Sequence, residues 1–317
     1  MTQTEAPSTG VLHAIVKAYD IRGLVGEQLT AAGTRALGGA FATLVKSTSD
    51  GSQRPAVVIS YDMRDSSPEL SGAFAEGVTA AGVDVVMAGL GSTDMLYFAS
   101  GSLGLPGAMF TASHNPARYN GIKLCLAGAV PLSLATGLAQ IRDDAQAVLD
   151  GAAPPVADVP GTVTERDVLA EYAAYLNQLV DLKNIRPLHV VVDAGNGMAG
   201  YTVPAVLGDL PLRIEPLYFE LDGNFPNHEA NPLDPANLVD LQKRVISEGA
   251  DIGLAFDGDA DRCFVIDERG EAVSPSAITA LVATRELAKN PGADRFTAVF
   301  ADHLGHRAGR DQVVDHR

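Results

Sequence analysis

The sequence predicts an α/β protein built from two consecutive domains, on three observations. The chain has 317 residues and is 46% hydrophobic, enough to bury about two cores. Short β-rich runs alternate with longer Ala- and Leu-rich stretches, the rhythm of β-α-β units. The segment GAAPPVADVPG (151–161) is rich in Pro, Ala and Gly and has no apolar period, which marks a boundary between the two halves. In chain order, PAVVIS (55–60) reads as a strand and SPELSGAFAEGVTAAG (67–82) as a helix. Ser67 is its expected N-cap, with Pro68 and Glu69 in the first turn. VDVVMAG (83–89) returns as a strand. Beyond the boundary, LHVVVD (188–193) leads into a Gly-rich turn, and DIGLAFD (251–257) ends in a cluster of acids. Functional groups in α/β sheets concentrate at such strand C-termini. SPSAITALVATRELAKN (274–290) reads as a helix. From about Asp294 the apolar patterning fades and the chain no longer reads as a domain; His303, His306 and His316 in this tail are expected to be solvated rather than metal-binding. No internal repeat of fixed period is present.

With 39 acidic against 23 basic side chains the net charge is −16, so the long-range field repels nucleic acid and anionic lipid. An anionic substrate must then be held by a local cluster of cations or a metal. Cys125 and Cys263 stand far apart with no CxxC spacing, the N-terminus carries no signal-peptide core, and no apolar run approaches the roughly 18 residues of a membrane helix. A soluble, cytoplasmic protein is expected.

Asp257-Gly-Asp-Ala-Asp-Arg262 places three carboxylates at i, i+2 and i+4 after a strand. In extended backbone all three project to one side, and three hard anions together suit Mg²⁺. A solvated acidic turn would leave Arg262 unexplained. An EF-hand loop matches Asp257, Asp259, Asp261 and Glu268, but it needs Gly where this chain has Arg262, and both flanks read as strands.

Thr111-Ala-Ser-His-Asn-Pro116 contains Asn115-Pro116, which breaks helix and displays Ser113 on a loop. Such a serine is ordinarily a turn residue. As a hydrolase nucleophile it lacks G-x-S-x-G, and His114 is badly placed to act as its base. A phosphoryl carrier requires a displayed hydroxyl, a metal and cations that spread the charge of the transferring group. Lys123 in YNGIK and Arg22 in KAYDIRG (17–23) are such cations, Arg22 lying just before a Gly that ends a loop.

KAYDIRG, TASHNP followed by YNGIK, and DGDADR resemble, in that order and spacing, the α-D-phosphohexomutases. DMRDSSPEL and GSTDMLYFASG are most similar to the phosphomannomutase/phosphoglucomutase branch, and VDAGNGMAG and DGNFPNHEANPLDP resemble that family's second domain. The resemblance covers residues 11 to 293. It implies two consecutive α/β domains with mixed sheets plus the start of a third: 1–155 with the phosphoserine loop, 156–270 with the metal loop, and 271–317 as a fragment of the third with a non-family tail. It further implies that Ser113 is the phosphoserine and that Ser113, Asp257, Asp259 and Asp261 hold Mg²⁺. Lys123 and Arg22 would transfer protons at the sugar hydroxyls, His114 and Arg262 would contact the phosphoserine region, and Tyr19 would touch substrate. The substrate would be a mannose or glucose 1- or 6-phosphate, with a hexose 1,6-bisphosphate as intermediate.

The family's sugar-recognition and distal-phosphate loops are not in this sequence, the pattern expected of a C-terminally truncated or frameshifted product. The complete 1-to-6 shift is then not expected from residues 1–317 at an intact enzyme's rate, because binding energy remote from the reacting atoms supports the rate itself.

Three rival functions stand beside this one. Gly195-Asn-Gly-Met-Ala-Gly200 is a complete G-x-G-x-x-G after a strand, with Glu220 twenty residues further on, as in dinucleotide-binding oxidoreductases; Pro204 early in the following helix argues against it. A D-x-D aspartyl-phosphate phosphatase would use Asp257 as nucleophile. A non-catalytic binding module is the third.

Overall fold

A computed structural model describes residues 10–49, 51 and 54–289. The first half begins with α1 (Val11–Ile15), β1 (Ile21–Leu24), α2 (Ala31–Thr48), β2 (Ala56–Tyr61), α3 (Ser67–Ala80), β3 (Asp84–Leu90) and α4 (Thr93–Leu103). It continues through β4 (Gly107–Phe110), β5 (Tyr119–Leu126), β6 (Val130–Pro131), α5 (Leu138–Leu149) and β7 (Val163–Glu165). The second half holds α6 (Leu169–Leu179), β8 (Leu188–Asp193), α7 (Ala199–Leu207), β9 (Leu212–Leu217), α8 (Val239–Glu248), β10 (Ile252–Phe256), β11 (Cys263–Ile266) and α9 (Pro275–Lys289).

Both sheets are mixed. In the first, the order is β1-β5-β4-β2-β3-β7, with β6 added to β5; β4, β2, β3 and β7 run parallel, while β5 pairs antiparallel with β4 and β1. In the second, the order is β11-β10-β8-β9, with only β11 antiparallel. The side-chain period of two splits each buried strand between two helical layers. Val57 and Ile59 of β2 face the core under α2, α3 and α5, whereas Val58 faces Met95, Leu96 and Ala99 of α4. In β8, Val191 joins Leu241 and Val245 of α8 while Val190 and Val192 join Ala199 and Val203 of α7.

The expected boundary after residue 155 falls inside chain that stays with the first sheet. Ala157 and Gly161 donate to the carbonyls of Ala80 and Thr79, and β7 then extends the sheet beyond β3. A Pro-rich segment with no apolar period can still run along a sheet edge, because its backbone does the pairing. Ser67 is the first residue of α3 rather than its N-cap: Ser66 takes that place, and the Ser67 hydroxyl donates to Asp62 at 2.6 Å. The helix expected over 274–290 forms as α9 and has no buried residue. The tail from about Asp294, with His303, His306 and His316, lies outside the described residues. Among the described residues no helix is long and apolar enough to cross a membrane.

Helices α2 and α3 cross at Gly38 and Gly77. A Cβ on Gly77 would lie far inside contact distance of the Arg35 carbonyl oxygen, so the close approach requires glycine. Gly77→Ala is expected to lower stability by about 1–3 kcal/mol or more, since one methyl must push two packed helices apart. Urea denaturation measures it, and an unchanged midpoint would contradict the tight crossing.

Candidate active site

Two loops meet between the sheets, each springing from the C-terminal end of a parallel strand. One is 111–118, after β4; the other is 257–262, after β10. Asn115 N–H donates to the Ala112 carbonyl, and Tyr119 N–H donates to that of Pro116, so the first loop folds back directly into β5. Ser113 sits in it with φ 52°. It is not displayed to solvent as expected: it is 4% exposed, because the second loop covers it. The second loop is likewise not extended. Ala260 takes φ 56°, and its N–H donates to the Asp257 carbonyl at 3.0 Å, so the three carboxylates converge through a tight turn rather than along one side of a strand.

The Ser113 hydroxyl donates to Asp257 Oδ2 at 2.8 Å and accepts from the Arg262 guanidinium at 2.7 Å. The same guanidinium pairs with Asp257 and lies 2.6 Å from His114 Nδ1. Lys123 reaches from β5 to Asp259 and Asp261, both at 2.6 Å. Asp257 and Asp259 are fully buried and Asp261 is partly exposed. Burial, with the neighbouring charges of Asp259 and Asp261, pushes the Asp257 carboxyl well above its ordinary value. Burial also works against the Asp259 charge, but Lys123 outweighs it and holds that carboxyl below its usual range. Lys123 itself is buried, which disfavours its charge, yet the two carboxylates raise its pKa and keep it an ammonium.

Of the expected site residues, Ser113, His114, Lys123, Asp257, Asp259, Asp261 and Arg262 are thus in one cluster. Arg22 stands beside it, on β1 and not at a loop end. It donates to Asn115 Oδ1 at 2.7 Å and to Asp20 at 2.7 Å, and with Lys17 and Tyr119 it lines a cavity of about 360 Å³. Its Nε is buried and has no hydrogen-bond partner among the described residues. Tyr19 is 68% exposed and is not joined to the cluster.

Two family models match the chain: phosphoglucomutase/phosphomannomutase α/β/α domain I over residues 13–149, and domain II of the same family over 170–270. The chain belongs to the phosphoglucomutase/phosphomannomutase family. It is 40% identical over 285 residues to a phosphomannomutase of Escherichia coli, covering 87% of this chain and 60% of that protein. It is 37% identical over 295 residues to a phosphomannomutase/phosphoglucomutase of Pseudomonas aeruginosa, covering 93% and 60%. The crystal structure of a Burkholderia thailandensis member superposes with a TM-score of 0.78 at 38% identity, over 88% of this chain and 60% of that one. The chain therefore spans about 60% of the length of these relatives.

The three carboxylates of this family member fit a divalent cation. Each offers an oxygen within 4.8 Å of the others, and Asp259 Oδ1 is buried with no hydrogen-bond partner among the described residues. A buried acceptor without a donor is costly, and hard oxygen ligands in this number suit Mg²⁺. Lys123 and Arg262 supply the neutralising charge here, and a metal would compete with them for the same oxygens.

The dinucleotide-binding, aspartyl-phosphate and EF-hand readings find no support in the geometry of the described residues. In the 195–200 turn the backbone N–H groups that would cradle a pyrophosphate are spent within the protein: Asn196 on the Tyr218 carbonyl, Gly197 on that of Ala194, and Met198 on that of Gly258. A Cβ on Gly197 would strike Gly258, so this glycine serves close packing of the turn against the acidic loop. Pro204 is accommodated inside α7. Asp257 is fully buried, with Oδ1 accepting from Arg262 N–H and Oδ2 from Ser113, so it is poorly exposed for a nucleophile. The acidic loop is flanked by β10 and β11, not by helices as in an EF-hand.

Thr93 also joins the cluster. At the start of α4, its hydroxyl donates to Asp259 Oδ2 at 2.6 Å and its N–H to the Asp259 carbonyl at 3.1 Å. GSTDM carries a capping signature that accounts for Ser92, whose hydroxyl accepts from Met95 N–H, but nothing local reports a partner 166 residues away.

Beside the glycine turn, His228 Nε2 lies 3.0 Å from Asp193 and Nδ1 lies 2.9 Å from the Glu229 carbonyl. Burial lowers the imidazole pKa, but the bond to Asp193 and its charge outweigh it, so the folded value is raised. A raised folded pKa contributes stability that is complete below the unfolded value, about 6.5, and is lost as pH climbs through the folded one. Stability is therefore expected to be lower at an alkaline pH above the folded value than at about pH 6.5 in the wild type, and to vary less in His228→Gln. Urea unfolding at the two pH values measures the difference, and parallel curves would refute it.

Proposed function

We propose that the protein is a phosphomannomutase/phosphoglucomutase, an isomerase that moves phosphate between C1 and C6 of a hexose through a phosphoserine at Ser113. The observation that carries this is the buried contact of the Ser113 hydroxyl with both Asp257 and Arg262, beside three convergent carboxylates. Mannose or glucose monophosphate is the proposed substrate class, which agrees with the names of the relatives.

Mg²⁺ held by Asp257, Asp259, Asp261 and an oxygen on Ser113 would polarise the phosphoryl group and offset its charge. The chain's own residues do the rest. Arg262 flanks the Ser113 oxygen and spreads negative charge there, and His114 lies beside both as the proposed second contact of the phosphoserine region. As the phosphoryl group leaves Ser113 for a free sugar hydroxyl, the bond from Ser113 oxygen to phosphorus breaks and a new bond to the sugar oxygen forms. The hydroxyl proton is passed on at the same time, and Lys123 and Arg22 are the proposed positions for this transfer. Lys123 takes the proton only once it is released from Asp259 and Asp261, which hold it as an ammonium here. The bound hexose 1,6-bisphosphate then turns, and Ser113 takes back the other phosphate. Arg22, whose Nε has no hydrogen-bond partner among the described residues, lies beside the cavity and is suited to meet an anionic group, and Tyr19 is the proposed outer contact.

Incubation with glucose 1,6-bisphosphate and Mg²⁺ followed by peptide mass spectrometry tests the reading. A phosphate on the Ser113 peptide is expected; a folded chain that carries none, or carries it only elsewhere, defeats it.

A further inference from the structure

We propose that Arg64 is a positioning residue for this chemistry: its buried guanidinium holds the Ser113 backbone in the left-handed conformation that aims the hydroxyl at Asp257 and Arg262. The inference rests on the assignment of Ser113 as phosphoryl carrier. Ser113 adopts φ 52°, a conformation a serine keeps only where its surroundings impose it. Arg64 imposes it from below the loop. Its NH2 donates to the carbonyls of Ser113 at 2.9 Å and Asn115 at 2.7 Å, and its NH1 to those of Pro116 at 3.0 Å and Tyr119 at 3.1 Å. Its Nε donates to Asp62 at 3.2 Å. All five guanidinium N–H groups are thus used, four of them on carbonyls within the seven residues from Ser113 to Tyr119, where the loop runs into β5.

The grip is rigid because its other end is fixed. Arg64 and Asp62 are each 1% exposed, and Asp62 is itself held by the Ser67 hydroxyl and by Arg64 N–H. A buried pair of this kind breaks only at high cost. On the far side of the strained residue, Thr111 Oγ1 accepts Ser113 N–H at 2.8 Å, and Gly258 packs so closely on the Ser113 carbonyl that a Cβ there would overlap it. Arg64 also reaches the second half of the chain. Its guanidinium lies 5.1 Å from the centre of the Phe225 ring, and Gly223 packs against its Cα. One side chain therefore sets the Ser113 loop and ties that setting to the half that carries the acids. Lysine cannot replace it, since three donors on a point charge cannot meet five acceptors spread around a planar fork.

The test uses the full chain with Mg²⁺ and glucose 1,6-bisphosphate, comparing wild type, Arg64→Lys and Thr111→Val. Three quantities are read: the single-turnover rate of Ser113 phosphorylation, the bisphosphate affinity, and amide hydrogen exchange over 111–121. For Arg64→Lys the rate is expected to fall about a hundredfold, as misplacement by an ångström can cost, with affinity nearly unchanged. Exchange in Ser113–Tyr119 should quicken while β2 and β3 keep their protection. Thr111→Val, which removes one bond to the same residue, should cost about tenfold in rate. A folded Arg64→Lys with rate and exchange within about twofold of wild type would overturn the inference. If Arg64→Lys does not fold, Thr111→Val decides it by the same criterion. A wild type that is never phosphorylated defeats the carrier assignment instead, and the exchange data then decide the positioning claim alone.

Discussion

Replacing Ser113 with alanine is expected to abolish phosphoryl uptake from glucose 1,6-bisphosphate, by about a thousandfold or more, while the fold survives. The buried hydroxyl makes one donated bond, to Asp257, and accepts one from Arg262. Losing them removes about 1–3 kcal/mol of hydrogen bonding at most, and both partners keep each other. Chemistry suffers far more than stability, because the oxygen that sits between Arg262 and Asp257 and would carry the phosphoryl group is gone. Intact-mass measurement after incubation reads the result. Phosphate appearing on the alanine variant at the wild-type rate would mean that another residue is the carrier.

The second large effect is on metal affinity. Asp259→Asn is expected to weaken Mg²⁺ binding about tenfold or more, or about 1.4 kcal/mol, because charge count governs affinity at carboxylate sites. Asp259 is fully buried; one oxygen is held by Thr93 and Lys123, and the other has no hydrogen-bond partner among the described residues. Asparagine keeps the shape but presents a neutral amide to that position. Asp251→Asn is the control, since Asp251 pairs with Arg186 at the surface near the opposite end of the same strand and should leave Mg²⁺ affinity unchanged. Calorimetric titration checks both, and equal affinity in Asp259→Asn and wild type would remove Asp259 from the site.

Much of this architecture was legible in local pattern. The short β-rich apolar runs in PAVVIS and LHVVVD predict strands that form as β2 and β8, and the acids after DIGLAFD do lie at a strand C-terminus, because residue preference and turn chemistry act over a few residues. The residue types at Ser113, Lys123 and Asp257–Arg262 likewise point to phosphoryl and metal chemistry before any fold is known. Tertiary structure alone decided the rest. It buried Ser113, which local sequence places on an open loop, by closing the 257–262 turn over it. It put Arg22 on a strand and carried the 151–165 segment back to the first sheet, both through backbone pairing that leaves no side-chain signature. It also joined Thr93 to Asp259 and Arg64 to the carbonyls of the Ser113 loop. Those contacts span 166 and 49 residues. A hydroxyl or guanidinium acquires such a partner only when distant chain is brought against it, so their roles depend on the packing of the two sheets.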